Sequence, residues 1–171
     1  MSLDSLEKLF IEELKDVYNA EKQILRALPR MAKTAESPEL QQAFIKHLRE
    51  TEGQVKRLER IFKELGQAAR GKKCKGMEGL LEEGKEVLEE DGEPAVIDAA
   101  LIASAQRVEH YEIAAYGCLR TYAQLLGYPA AEQLLQQTLE EEEAADKKLT
   151  QLGESGINEA AAAAGAGMEE E

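Results

Sequence analysis

Gln106-Arg107-Val108-Glu109-His110-Tyr111-Glu112-Ile113-Ala114-Ala115-Tyr116 is the stretch that decides the fold. It lies in a longer stripe, Ile97, Leu101, Ser104, Val108, Glu112, Ala115, Leu119, Tyr122, that steps by three and four residues. That spacing is the seam of a buried helix face, and Glu112 lies in it. Glu109 and Glu112 are i,i+3 neighbours, so their carboxylates meet on one face. A buried carboxylate must be neutralised, paired or bound to a cation. His110 is rotated about 100° from Glu109 on a helix, which assigns it to packing or an interface.

Three further helical runs surround this one. The first spans roughly residues 3–34 with the seam Leu14, Val17, Glu21, Ile24, Leu28, so Glu21 stands between apolar neighbours. Pro29 predicts a kink or an end late in this run, because proline removes a backbone hydrogen bond. Ser37-Pro38 reads as a restart, serine capping and proline opening the first turn. The second run extends to about Leu65, with Gly66 closing it. Its face Leu40, Phe44, His47, Thr51, Gln54, Leu58, Ile61, Leu65 is polar only in the middle, and the adjoining face carries His47, Glu50 and Gln54. Gly53 costs about 1 kcal/mol relative to alanine inside a helix, which predicts close approach by a neighbour.

The third run opens at Pro94 and ends near Leu126-Gly127; the fourth opens at Pro129 and ends near Leu152. Only Gly127-Tyr128 separate them, so they are antiparallel neighbours. The fourth seam, Leu135, Leu139, Glu142, Asp146, Leu149, again exchanges apolar for acidic residues midway. Residues 66–93 form a long connection in which Met77, Leu80, Leu81, Val87 and Leu88 predict a short amphipathic helix. A helix of about 30 residues is about 45 Å long. A connection of this size can run that distance and place the third long helix parallel to the second.

Composition sets the frame. The chain has 171 residues, enough for one domain, 1–152. Abundant Ala, Leu, Glu, Lys and Gln predict an all-α protein. From Gly153 the residues turn to Ala, Gly and Glu, and 153–171 read as a disordered acidic tail. The net charge of −13 excludes a general nucleic-acid binder and suits attraction of cations. No apolar run approaches the roughly 20 residues needed to span a bilayer, and no signal pattern opens the chain, so no membrane partner and a cytoplasmic location are expected. Cys74, in Lys72-Lys73-Cys74-Lys75, reads as a solvated loop cysteine, the alternative being a reactive thiol with a pKa lowered by nearby lysines. Cys118 reads as packing.

All four runs therefore offer acids at or beside a seam: Glu21, Glu50, Glu109 with Glu112, and Glu142 with Asp146. A weak internal repeat aligns Val17, Glu21 and Leu28 with Val108, Glu112 and Leu119 at one offset. Glu50 and Gln54 align with Glu142 and Asp146 at an offset one residue longer. Clustered carboxylates drive one another's pKa upward, and divalent cations relieve this. Oxygen-rich sites suit hard ions, iron and manganese, and helix bundles hold metals on inward Glu residues. His47 is a ligand or a donor to one, the equal alternative being a simple buried or interfacial histidine. Tyr18 and Tyr116 read as core packing, with hydrogen bonds to the acids as the alternative.

Asn19-Ala20-Glu21-Lys22-Gln23, His47-Leu48-Arg49-Glu50-Thr51-Glu52-Gly53-Gln54-Val55, Gln106 to Glu112, and Thr138 to Asp146 together resemble the YciE/YciF-type ferritin-like family of bacteria, over nearly all of residues 5–152. The resemblance implies an antiparallel four-helix ferritin-like bundle with a long crossover, often dimeric and linked to stress responses. Ferritins and rubrerythrins hold two irons and react them with oxygen or peroxide, using Glu-x-x-His on the second and fourth helices. Here Gly53 and Ala145 stand where those histidines would be, with Gln54 and Asp146 one position on. The leading expectation is two divalent ions, iron first and manganese or zinc as alternatives. Glu21, Glu50, Glu112 and Glu142 are the central ligands; Glu109, Asp146 and Gln54 complete the site, and His47 stands behind them. The alternative is a non-enzymatic stress or scaffold protein with a degraded or vacant site.

Overall fold

The computed structural model describes residues 3–166, and all regular structure among them is helical. Each long helix begins at a start signal legible in the chain. Ser5 caps α1 (Leu6–Thr34), its hydroxyl accepting from Lys8 N at 3.2 Å. Ser37 caps α2 (Pro38–Glu64) through Leu40 N at 3.3 Å. Pro94 and Pro129 open α4 (Pro94–Leu126) and α5 (Pro129–Leu152), where a missing N–H costs nothing. Gly66 and Gly127, at φ 65° and 75°, follow α2 and α4 in the left-handed conformation that favours glycine.

The connection from α2 to α4 contains α3 (Lys75–Glu89), with Met77 buried and Leu80, Leu81, Val87 and Leu88 packed on the core. Helix α1 packs on α2 and α4, and α5 packs on the same two helices; α3 lies across α1 and α4. Two apolar clusters fix the directions. One joins Leu28 and Met31 of α1 to Leu40 and Phe44 of α2, Leu101 of α4 and Leu149 of α5. The other joins Phe10 and Leu14 to Ile61, Phe62, Leu119 and Leu135. Neighbouring helices are therefore antiparallel, and α2 and α4 start at the same end. Asp98 of α4 pins the first turn: its buried carboxylate accepts from Glu36 N at 2.9 Å and Ser37 N at 2.8 Å.

Three expectations are corrected. Pro29 does not end α1, which runs through it to Thr34; Leu28 and Met31 on either side are buried, and packing carries the helix past the lost bond. No neighbour approaches Gly53, where an added Cβ would meet nothing within 4 Å. The disordered tail expected from Gly153 is instead a kinked turn over 153–157, with Gly156 outside helical geometry at φ 155°, followed by α6 (Asn158–Ala166). Ile157 packs on the core, α6 lies on α4, and alanine has the highest helix propensity. The remainder of that tail, 167–171, lies outside the described residues. No helix among the described residues is long and apolar enough to cross a membrane.

Candidate metal centre

The two apolar clusters do not merge, because a polar layer separates them. Along α1, Val17 belongs to one cluster and Ile24 to the other, with fully buried Glu21 between. The same level holds buried His47, Thr51 and Gln54 of α2, Glu109 and Glu112 of α4, and Thr138 and Glu142 of α5. Each lies on the inward stripe of its helix, so the seam spacing that buries leucines elsewhere buries acids here.

His47, Glu109, Glu112 and Glu142 each offer one ligand atom, and these atoms all lie within 4.8 Å of one another. His47 Nε2 stands 3.2 Å from Glu109 Oε1 and 3.7 Å from Glu142 Oε2. Gln54 Nε2 donates to Glu142 Oε1, and the Tyr116 hydroxyl donates to Glu21 Oε1. Many buried atoms have no hydrogen-bond partner: both oxygens of Glu112, both nitrogens of His47, Glu21 Oε2, Glu109 Oε2, Glu142 Oε2 and Gln54 Oε1. Leaving one such atom unsatisfied costs about 1–3 kcal/mol. A convergent set of unsatisfied oxygens and imidazole nitrogens fits a cation that would use their lone pairs.

Electrostatics agree with that reading. Burial pushes the Glu21 carboxyl from its ordinary 4.5 up to about 8, with the Glu142 charge adding to it and the Tyr116 hydrogen bond opposing it. Burial raises Glu112 well above the usual range, helped by the charges of Glu142, Glu21 and Glu109. Glu109 is raised by burial and then by the neighbouring Glu142 carboxylate. Burial disfavours a charged His47, yet the neighbouring carboxylates of Glu50, Glu142 and Glu21 outweigh this and hold the imidazole above its ordinary value. Without a cation, protons must neutralise this layer.

The remaining sequence-derived candidates divide. Glu21, Glu109, Glu112, Glu142 and Gln54 are brought together. His47, expected behind the ligands, stands among them, with Glu50 following it in the order His-x-x-Glu. Glu50 is at the edge: its side chain is 20% exposed, and it pairs with Lys46 at 2.8 Å and His47 Nδ1 at 3.6 Å. Burial opposes its ionisation, but the adjoining His47 and Lys46 prevail and lower its pKa. Asp146 turns away to His110 Nε2 and Gln106 Nε2, both at 3.2 Å. The offset repeat therefore matches Glu21 with Glu112 in burial, but not Glu50 with Glu142 or Gln54 with Asp146.

Arg57 and Glu141 went unread in the sequence. Arg57 forks onto Glu141 at 2.7 and 2.6 Å and donates to Thr138 at 3.1 Å, and Gln54 Nε2 lies 3.1 Å from Glu141 Oε2. Arg57 follows Gln54 by three residues, and that spacing is the signal that would have found it. Tyr18 donates to Glu59 at 2.9 Å, outside the layer.

Cys74 is fully buried rather than solvated, because it caps α3 and faces Tyr111, whose hydroxyl is 3.0 Å from its sulfur and donates to Asp16 at 2.9 Å. Burial pushes the thiol pKa up, opposite to the lowering expected of a reactive thiol. Cys118 is exposed rather than packed.

Fold and site together define an all-helical protein with a buried glutamate–histidine layer able to hold metal. The chain belongs to the DUF892 family, a domain of unknown function whose model matches residues 5–162. It is 48% identical to protein YciF of Escherichia coli strain K12 over 162 residues, covering 94% of this chain and 98% of that one. The structure of the E. coli stress protein YciF matches with a TM-score of 0.87, covering 91% of this chain and 99% of its own. YcfI of Rhodopseudomonas palustris, for which a structural role is proposed, matches at 43% identity and a TM-score of 0.84, covering 88% and 97%. A Xanthomonas campestris protein, XCC3681, shares the fold at 22% identity and a TM-score of 0.70, covering 91% and 94%. The resemblance read from the helix motifs is thus to the family the chain belongs to.

Proposed function

We propose that the chain is a ferritin-like four-helix bundle whose polar layer holds two divalent ions, iron first, and that it acts in a stress response by oxidising ferrous iron with oxygen or peroxide. The observation that carries the reading is the convergence of His47, Glu109, Glu112 and Glu142, with their lone pairs left unsatisfied. These four would hold one ion; Glu21, with Glu112 and Glu142, would hold the second, and Glu50 is near enough to join through His47. Bound iron supplies one-electron redox chemistry that no side chain in the layer provides. The protein's part is to hold the acids ionised, to orient Glu142 through Gln54, and to keep Glu21 hydrogen-bonded to Tyr116. Identity to a stress protein supports the cellular role, and we read the working form as a cytoplasmic homodimer.

The test is aerobic and peroxide-driven oxidation of ferrous iron by protein purified without chelator. Oxidation faster than the buffer control, lost in Glu112→Ala, is the expected result; no acceleration with either oxidant overturns the catalytic part.

A second reading is a non-enzymatic helical stress or scaffold protein with a degraded site. The structural role proposed for YcfI favours it, as do Arg57 on Glu141 and Lys46 on Glu50, cations the chain itself supplies. Removing buried charges that bind nothing often stabilises a protein. Under this reading Glu21→Ala/Glu112→Ala melts at the same temperature or higher.

A further inference from the structure

Two partly exposed carboxylates border the polar layer where α2 meets α5, and each carries a cation of the chain's own. Glu141 and Glu50 are 22% and 20% exposed, but their partners differ. Arg57 forks onto both oxygens of Glu141, also donates to Thr138, and is itself only 16% exposed. A bidentate arginine of this kind holds its geometry and ties the two helices together. Lys46 is 70% exposed and reaches Glu50 through a single contact, Nζ to Oε1 at 2.8 Å. An exposed lysine–carboxylate pair is weak and opens readily. Of these two rims, the Glu50 rim is therefore the one that can give way.

Behind Glu50 lies a cavity of about 40 Å³, with Lys46, His47, Glu50 and Glu109 in its wall. A single water requires roughly 10–15 Å³ of such space, so the cavity has room for a small ion that keeps part of its water shell. The ligand atoms form a series leading inward. Glu50 Oε2 is 3.6 Å from His47 Nδ1, and His47 Nε2 is 3.2 Å from Glu109 Oε1 and 3.7 Å from Glu142 Oε2. Past Glu50 these side chains are buried, and both His47 nitrogens, Glu109 Oε2 and Glu142 Oε2 lack hydrogen-bond partners. Carboxylate and imidazole lone pairs in this order suit a divalent cation at every step. The outermost of them already holds a cation, the Lys46 ammonium.

We propose that Glu50 is the admission site through which divalent cations reach the layer, and that Lys46 is its gate. The ammonium releases Glu50 to an incoming ion and pairs with it again once the ion has passed to His47 and Glu109. The proposal rests on the proposed function for its destination and adds the route and the residue that controls it.

The test follows cobaltous ion, whose visible absorption reports binding, entering full-length metal-free protein in a stopped-flow instrument; a chelator chase measures its release. A gate that closes again behind the ion sets the speed in both directions and leaves affinity alone. Lys46→Met, at a surface position, should therefore raise association and dissociation rates together by roughly two- to fivefold, the factor an exposed ion pair is worth, while Lys46→Arg stays near the wild-type rates. Lys148→Met removes a charge from the same cavity mouth that is not bonded to Glu50, and it should change neither rate. In a Glu50→Gln background Lys46→Met should lose its effect, because the two residues act as one unit. Equal acceleration by Lys148→Met, or acceleration that persists with Gln at position 50, would reduce Lys46 to general repulsion and overturn the gate. Faster association with unchanged dissociation would make Lys46 a competitor for a ligand and overturn it too. Failure of the wild-type protein to bind cobalt defeats the proposed function and the gate with it; normal binding with unaltered rates in Lys46→Met defeats the gate alone.

Discussion

His47 Nε2 lies 3.2 Å from Glu109 Oε1, joining α2 to α4 where the apolar core is interrupted. If the pair serves a metal, His47→Ala lowers divalent-ion affinity by at least about tenfold, the low end of what even supporting residues of metal sites contribute. Calorimetric titration with ferrous or zinc ion checks this. An unchanged affinity would make His47 a packing residue.

Among the described residues Tyr116 is the hydrogen-bond donor to Glu21, and both side chains are fully buried. Tyr116→Phe leaves Glu21 Oε1 unsatisfied and should cost the metal-free protein about 1–3 kcal/mol. The hydrogen bond favours the charged carboxylate, so its loss raises the Glu21 pKa further. The destabilisation should therefore grow with pH, which thermal melts at pH 5.5 and 8.5 would reveal (about one pH range below and above neutrality).

Stability of the metal-free protein should fall as pH rises. Glu21, Glu109 and Glu112 have folded pKa values above their ordinary 4.5, so the fold binds their protons more tightly than the unfolded chain does. Their contribution is complete below 4.5 and is lost as pH climbs through the folded values, about 8 for Glu21. His47, also raised, has the same sign. Glu50 has the opposite sign, but its contribution is fully present above 4.5 and is lost only as pH falls below that, outside this window. Bound divalent ions should flatten the profile. Thermal denaturation across pH 5–9, with and without added metal, measures both effects over the range in which these groups titrate.

Two glycines should respond oppositely to alanine. At Gly53 a Cβ meets open space inside α2, so Gly53→Ala should stabilise the protein by about 1 kcal/mol through helix propensity. At Gly76 the Cβ would lie 2.7 Å from Cε2 of Tyr111, a ring held by Cys74 and Asp16. Gly76→Ala should destabilise by about 1–3 kcal/mol, as overpacking does. Chemical denaturation of both variants supplies the comparison.

Helix ends and inward faces were largely legible, because caps, opening prolines and three-four spacing are local signals. The α1 seam Leu14, Val17, Glu21, Ile24, Leu28 is buried throughout, and so is the α2 face from Leu40 to Ile61. On α5 the chosen stripe drifted by one residue. Thr138, not Leu139, is buried ahead of Glu142, and Asp146 sits beside the true stripe rather than on it. One residue is about 100° of rotation, enough to move a carboxylate from the layer to its rim. The rank of His47 was not legible, since it depends on how α2 faces α4 and α5. Nor was the burial of Cys74, which depends on α3 folding back over Tyr111.

The most direct test of the central claim is the metal content of the full-length protein purified without chelator and loaded anaerobically with ferrous iron. Two iron ions per chain are expected. Glu21→Ala/Glu112→Ala should lose them and melt at a temperature below that of the loaded wild-type protein. A wild-type protein that binds no iron, manganese or zinc would contradict the central claim.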